Sequence, residues 1–181
     1  MDLQSFLEQG QGMRNIASSS SCSSASTPKW TYDVFLSFRG EDVRKNFVDF
    51  LYNALQQTGI YTFKDDEKLE RGRSISPALI QAIKESRIAV IIFLENYATS
   101  SWCLDELAEI IGCKHVLGQT VLPVFFDVDP SVVRRQKGSF GRAFVKHEDE
   151  IEDKERIQKW RAALAEAASI SGWDVPNTAD G

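Results

Sequence analysis

Side chains that bind metals or form disulfides are scarce in this chain. Among its 181 residues only Cys22, Cys103 and Cys113 are cysteine, and only His115 and His147 are histidine. Cysteines so few and scattered build neither a disulfide framework nor an all-cysteine zinc site. So few histidines make no histidine-rich metal centre. The expectations are a reducing compartment and no bound metal. Basic charge is also short, with 21 Lys and Arg against 26 Asp and Glu, a net charge of −5. General nucleic-acid binding needs clustered excess Lys and Arg, so none is expected. No apolar run approaches the ~20 residues that span a bilayer, and no membrane partner is expected. The longest run, Ile88 to Leu94, suits a buried strand. Familiar catalytic signatures are missing too. There is no G-x-G-x-x-G, no G-x-x-x-x-G-K-[ST] and no G-x-S-x-G, which removes the standard dinucleotide, P-loop and serine-hydrolase readings.

What is present divides the chain in three. Residues 1–29 form an expected flexible tail, with Ser at seven of the eleven positions from Ala17 to Thr27. Such a stretch buries too little apolar area to offset its ordering entropy. A transit peptide is disfavoured, because Asp2 and Glu8 are acidic and Arg14 is the only basic residue before Lys29. Residues 30–175 read as one domain. Residues 176–181 read as the start of a linker to further domains.

Within the domain, strand and helix patterns alternate. Tyr32 to Ser37 is short, aromatic and β-branched. Val43, Phe47, Phe50, Leu51, Ala54 and Leu55 form a helical stripe that Gly59 ends. Ile60 to Phe63 reads as a second strand. Lys64 to Arg73 reads as a loop, with eight charges in ten residues. Ser76 can cap a helix that Pro77 opens, with Ile75 and Ile80 as a staple. Arg87 to Leu94 reads as a strand buried on both faces, and Ser101 as the cap of a helix carrying Leu104, Leu107, Ala108 and Ile111. Thr120 to Val128 follows as a strand, with Pro123 placed where its missing N–H does no harm. Asp129-Pro130-Ser131 breaks the chain. Val132 to His147 is partly helical and interrupted by Gly138 and Gly141, and Lys154 to Ser169 is a helix. This alternation predicts an α/β fold with a parallel sheet flanked by helices on both faces. Ligands bind such sheets at the C-terminal strand ends. A phospho-accepting domain of this topology would need an Asp after the third strand, where the chain reads Phe93-Leu94-Glu95-Asn96.

Carboxylates are the remaining chemistry at that edge. Asp65, Asp66 and Glu67 read as solvated surface. Asp105, Glu106 and Glu109 sit in the first turns of the third helix, where carboxylates complement the helix dipole. Helical phase puts Glu106 well off the apolar stripe, which predicts that it is not a core residue. Trp102 is either a packing anchor or a face for ring stacking. Cys103 reads better as a buried small residue than as a pocket wall. Periodicity does not choose between Asp105 and Glu106.

Four segments together resemble one family. They are Tyr32-Asp33-Val34-Phe35-Leu36-Ser37-Phe38-Arg39-Gly40-Glu41-Asp42, Phe63-Lys64-Asp65-Asp66 with Leu69-Glu70-Arg71-Gly72, Ser101-Trp102-Cys103-Leu104-Asp105-Glu106-Leu107, and Leu122 to Arg134. In this order and spacing they resemble plant Toll/interleukin-1 receptor (TIR) domains. The departures are Val43 where Thr is frequent and Phe126 where Tyr is frequent. The resemblance implies a flavodoxin-like TIR fold with four to five parallel strands. It implies the N-terminal part of an intracellular immune receptor, in the cytoplasm and the nucleus.

It also implies two activities, self-association and cleavage of NAD+ to nicotinamide and ADP-ribose-type products, linear or cyclic. NAD+ would be substrate, with no cofactor. By motif position Glu106 would be catalytic and Trp102 would shape its pocket. Leu36, Ser37, Phe38, Arg39, Gly40 and Glu41, with Lys68, Leu69, Glu70, Arg71, Gly72 and Arg73, would surround the dinucleotide. Asp49 and Phe50 match one self-association surface and Gly172 another. Core packing of Phe50 and a helix-ending role for Gly172 are the alternatives. The acidic run Glu148 to Glu155 could meet Arg134, Arg135 and Lys137 of a neighbouring copy. The competing reading is a non-catalytic homotypic scaffold.

Overall fold

The computed structural model describes residues 30–39, 47–64 and 75–175. The expected tail, Val43, most of the charged loop and the expected linker lie outside them. Five parallel strands form one sheet in the order β2-β1-β3-β4-β5. They are β1 (Tyr32–Phe38), β2 (Thr62–Lys64), β3 (Ser86–Phe93), β4 (Thr120–Phe126) and β5 (Trp173–Val175). The described helices are α1 (Phe47–Gln57), α2 (Pro77–Lys84), α3 (Ser101–Leu117), α4 (Pro130–Arg134), α5 (Gly138–Glu150) and α6 (Lys154–Ala167). A short 3-10 turn, Tyr97–Thr99, links β3 to α3.

Strand periodicity divides the core in two. Ile88, Val90 and Ile92 of β3 face one way with Val34, Leu36 and Phe38 of β1. Among the described helices α1 covers that face, through Val48, Leu51 and Leu55. Ala89, Ile91 and Phe93 face the other way with Phe35, beneath apolar residues of α2, α3, α5 and α6. A strand buried on both faces reads as a continuous apolar run, which is why β3 is so plain in the sequence.

Local chemistry sets several boundaries. Ser76 accepts a hydrogen bond from the Leu79 N–H at 3.2 Å, and Pro77 opens α2. Gly59 ends α1 with φ 75°. The Ile60 N–H reaches back to the Leu55 carbonyl and the Gly59 N–H to that of Gln56, both at 3.0 Å. This paired closure needs a left-handed residue that glycine supplies without penalty. Ile60 and Leu55 share the same buried cluster.

Three sequence expectations need correction. The cap of α3 is Ser100, whose hydroxyl accepts from the Cys103 N–H at 3.3 Å, and Ser101 is the first helical residue. Adjacent serines offer the same chemistry, so sequence does not separate them. Asp129-Pro130-Ser131 opens α4 rather than only breaking the chain, because Asp129 accepts from the Ser131 N–H at 2.7 Å. Gly141 lies inside α5 without interrupting it. A Cβ there would stand 2.8 Å from the Gln136 carbonyl oxygen, so close approach of the preceding turn demands glycine.

Candidate functional site at the C-terminal edge of the sheet

The end of β1, the 97–99 turn and the start of α3 converge at one edge. Ser37 lies on the same face of β1 as Phe35, toward α3. Its hydroxyl donates to Glu106 Oε2 at 2.9 Å. The Tyr97 hydroxyl lies 3.0 Å from Ser37 Oγ and donates to the Cys103 carbonyl at 3.1 Å. Burial, with the Cys103 thiol and the Glu106 carboxylate nearby, pushes the Tyr97 phenol well above its ordinary pKa. It therefore stays a hydrogen-bond donor at any ordinary pH.

Glu106 is only 3% exposed, contrary to the expectation from helical phase. The physical reason is that α3 is covered on two sides, by the sheet and by α6. A single apolar stripe describes one of those sides. Glu106 sits where the helix meets the strand end, with a hydroxyl rather than an apolar partner.

The neighbouring carboxylates are occupied elsewhere. Asp105 binds Arg156 through two contacts, of 3.0 Å from Nε and 2.5 Å from a terminal guanidinium nitrogen, and accepts from Trp160 Nε1 at 2.9 Å. The paired Asp105 carboxylate raises the Arg156 pKa above its usual value. Glu109 pairs with Lys84 at 3.2 Å. Of the three acids, Glu106 alone reaches the strand end. That separates it from Asp105 on geometry, where periodicity did not.

Trp102, one helical turn before Glu106, is 7% exposed, so its ring is a packing anchor rather than an open stacking platform. Its buried Nε1 donor has no hydrogen-bond partner among the described residues. The Leu36 and Phe38 side chains point into the opposite core, toward α1, so only their backbone borders the Glu106 side. Arg39 folds over the turn, donating to the Asn96 carbonyl at 2.7 Å and to Thr99 Oγ1. Gly40, Glu41, Lys68, Leu69, Glu70, Arg71, Gly72 and Arg73 lie outside the described residues.

A separate groove of about 550 Å³ runs between the ends of β3 and β4 and α5, lined by Glu95, Asn96, Thr99, Asp127, Arg142 and Lys146 among others. It shares the 95–99 segment with the Glu106 cluster but does not include the carboxylate. Among the described residues no group of His, Cys, Asp and Glu is arranged to hold a metal ion, and no helix is long and apolar enough to cross a membrane.

The expected association residues lie on other elements, Asp49 and Phe50 on α1 and Gly172 just before β5. Phe50 is 57% exposed on α1, which rules out the core alternative. Beside it Asp49 pairs with Lys64 at 3.0 Å. Gly172 precedes β5 and is not the glycine that ends α6, which closes at Ala168. A Cβ on Gly172 would lie 2.3 Å from the Pro123 carbonyl oxygen and 3.1 Å from the Phe125 ring. The close approach at Gly172 is made within this chain, to β4. The acidic run is partly paired internally, Glu148 with Arg161 at 2.8 Å and Glu150 with Lys146 at 3.6 Å. Tyr97 was not anticipated as a site residue. The signal for it was an aromatic residue in a short turn directly after the most buried strand.

Residues 31–180 match the family profile described as "TIR domain". The chain belongs to the TIR family. This TIR domain is 58% identical over 158 residues to "Disease resistance protein RPV1" of Vitis rotundifolia, covering 87% of this chain and 11% of that protein. It is 56% identical to "TMV resistance protein N" of Nicotiana glutinosa, covering 83% of this chain and 13% of that protein. The TIR domains in the "Structure of the activated Roq1 resistosome directly recognizing the pathogen effector XopQ" share 52% identity and a TM-score of 0.73, with 83% of this chain and 92% of that chain covered. The five-stranded parallel sheet is thus the TIR fold. The chain spans only 11% to 13% of the length of those two resistance proteins.

Proposed function

We propose that this TIR domain is the signalling part of a plant immune receptor. It self-associates and, once assembled, cleaves NAD+ to nicotinamide and an ADP-ribose-type product. The observation that carries this reading is Glu106, a carboxylate buried at the C-terminal sheet edge and held by the Ser37 hydroxyl. The likeness to resistance proteins and to the Roq1 resistosome TIR domains supports the receptor setting and assembly.

One carboxylate suffices for the chemistry. An ordinary glycosidase pairs it with an acid, because an alkoxide leaving group needs a proton. In NAD+ the bond from the anomeric carbon to the pyridinium nitrogen breaks, and its electron pair neutralises that nitrogen. Nicotinamide then leaves without a proton. The anomeric carbon becomes oxocarbenium-like, and a fixed negative charge beside it lowers the barrier. Water, or a hydroxyl of the product itself, completes the reaction and releases a proton to solvent. Nothing in this sequence of events requires histidine or metal.

The test is nicotinamide release measured against protein concentration. A steep rise that Glu106→Ala abolishes, with the fold intact, is the expected result. No turnover at any concentration, with association preserved, refutes the enzyme reading and leaves the scaffold. The exposed Phe50 beside Asp49 supports self-association in either case.

A further inference from the structure

Ser37 has a single hydroxyl proton, and it goes to Glu106. In the 3.0 Å contact between Ser37 and Tyr97 the proton is therefore the phenol's, which the phenol shares with the Cys103 carbonyl at 3.1 Å. A serine that accepts from a phenol becomes a stronger donor to the next group in the chain. The two hydroxyls thus form a directed line that ends on the carboxylate.

Tyr97 is held on several sides. Its ring meets Phe93 edge-on, with centroids 5.0 Å apart. Arg39 grips the turn at Asn96 and Thr99, and His147 Nε2 lies 2.9 Å from the Ala98 carbonyl. A phenylalanine would fill the same volume. It would keep the packing of the ring and lose the hydroxyl's two contacts, to the Cys103 carbonyl and to Ser37.

We propose that Tyr97 is a positioning residue for the NAD+-cleaving reaction, its hydroxyl fixing the direction of the Glu106 carboxylate through Ser37. This rests on the function proposed above. Tyr97 need not touch substrate. Its effect passes through one intermediate group, so removing that group also removes the effect.

The experiment is a double-mutant cycle on the 181-residue chain, at a concentration where the wild type turns over. Nicotinamide release is measured for wild type, Tyr97→Phe, Ser37→Ala and the double variant, with thermal melts of each. Ser37→Cys, of similar shape and weaker as a donor, takes its place if Ser37→Ala does not melt cooperatively. Small misplacements of a reacting group cost up to about a hundredfold in rate. The expected losses in kcat are about tenfold for each single variant, with KM within about twofold. The double variant is expected to be no slower than Ser37→Ala. Wild-type kcat in Tyr97→Phe, or losses that multiply, overturns the positioning role while the function stands. A wild type that releases no nicotinamide overturns both.

Discussion

Replacing Gly172 with alanine separates two accounts of this residue. The resemblance places it on a self-association surface, where a small residue lets two copies approach. The structure puts the tight contact inside the chain. The added Cβ would stand 2.3 Å from the Pro123 carbonyl oxygen and 2.7 Å from the Pro123 ring. Real Cβ contacts begin near 3.0 Å, so backbone must retreat by about 0.7 Å, at an overpacking cost of about 1–3 kcal/mol. Gly172 does not occupy the left-handed region, so alanine can adopt its backbone and recovers about 0.4–1 kcal/mol of unfolded-state entropy. Because the clash is with backbone, the upper part of that range applies, about 2–3 kcal/mol, which leaves a net loss of about 1–2.6 kcal/mol, or about 2–10 °C in Tm for a domain of this size. The strain falls on the β5 ladder, where Trp173, Asp174 and Val175 pair with Val124, Phe125 and Phe126. Urea unfolding at concentrations where the chain is monomeric gives the free energy, and hydrogen exchange at 173–175 locates it. A Gly172→Ala variant within 0.5 kcal/mol of wild type, with normal exchange in β5, refutes the reasoning and returns Gly172 to the interface alone.

Other outcomes follow from the same contacts. Asp105→Ala leaves the buried Trp160 N–H without its acceptor and Arg156 without its partner, so it should cost about 2–4 kcal/mol in urea unfolding; a loss under about 1 kcal/mol removes Asp105 as a strut. Phe50→Ser should leave the unfolding free energy within about 0.5 kcal/mol but weaken self-association by sedimentation, and an unchanged association constant excludes that face. The hydrogen bond from Lys114, with His115 adding to it, holds the Glu166 carboxyl below its usual range. Its stabilisation is therefore present above the ordinary Glu pKa and lost as pH falls through the lowered one. Glu166→Gln should cost about 0.5–1 kcal/mol at neutral pH, since the pair is part-exposed, and nothing once wild-type Glu166 is protonated. A gap that persists in acid contradicts the pairing.

Where local chemistry decides structure, the sequence was legible. The apolar run of β3 announced its burial on both faces, and Ser76-Pro77 announced α2. Pro123 also sits as expected, at the margin of the β4–β5 ladder, which starts at Val124. The misreadings at the candidate site involve distant neighbours. Glu106 looked solvent-facing because nothing local reports that α3 is covered twice. Asp105 and Glu106 differ through Arg156, which is 51 residues away. Gly172 looked like a helix terminator because its close contact, Pro123, lies on another strand. The three-residue strand β5 is too short to show a period. Most of the loop expected to surround a dinucleotide lies outside the described residues.

Successive residues on a helix point about 100° apart, and Asp105 and Glu106 divide the work accordingly. One welds α3 to α6, while the other reaches the strand end. Turning α3 about its axis to re-aim Glu106 would tear the Asp105–Arg156–Trp160 weld. The last described helix, α6, thus acts as a rotational stop for α3. A substitution at Arg156 or Trp160 would alter the alignment of the Glu106 carboxylate as well as the melting point.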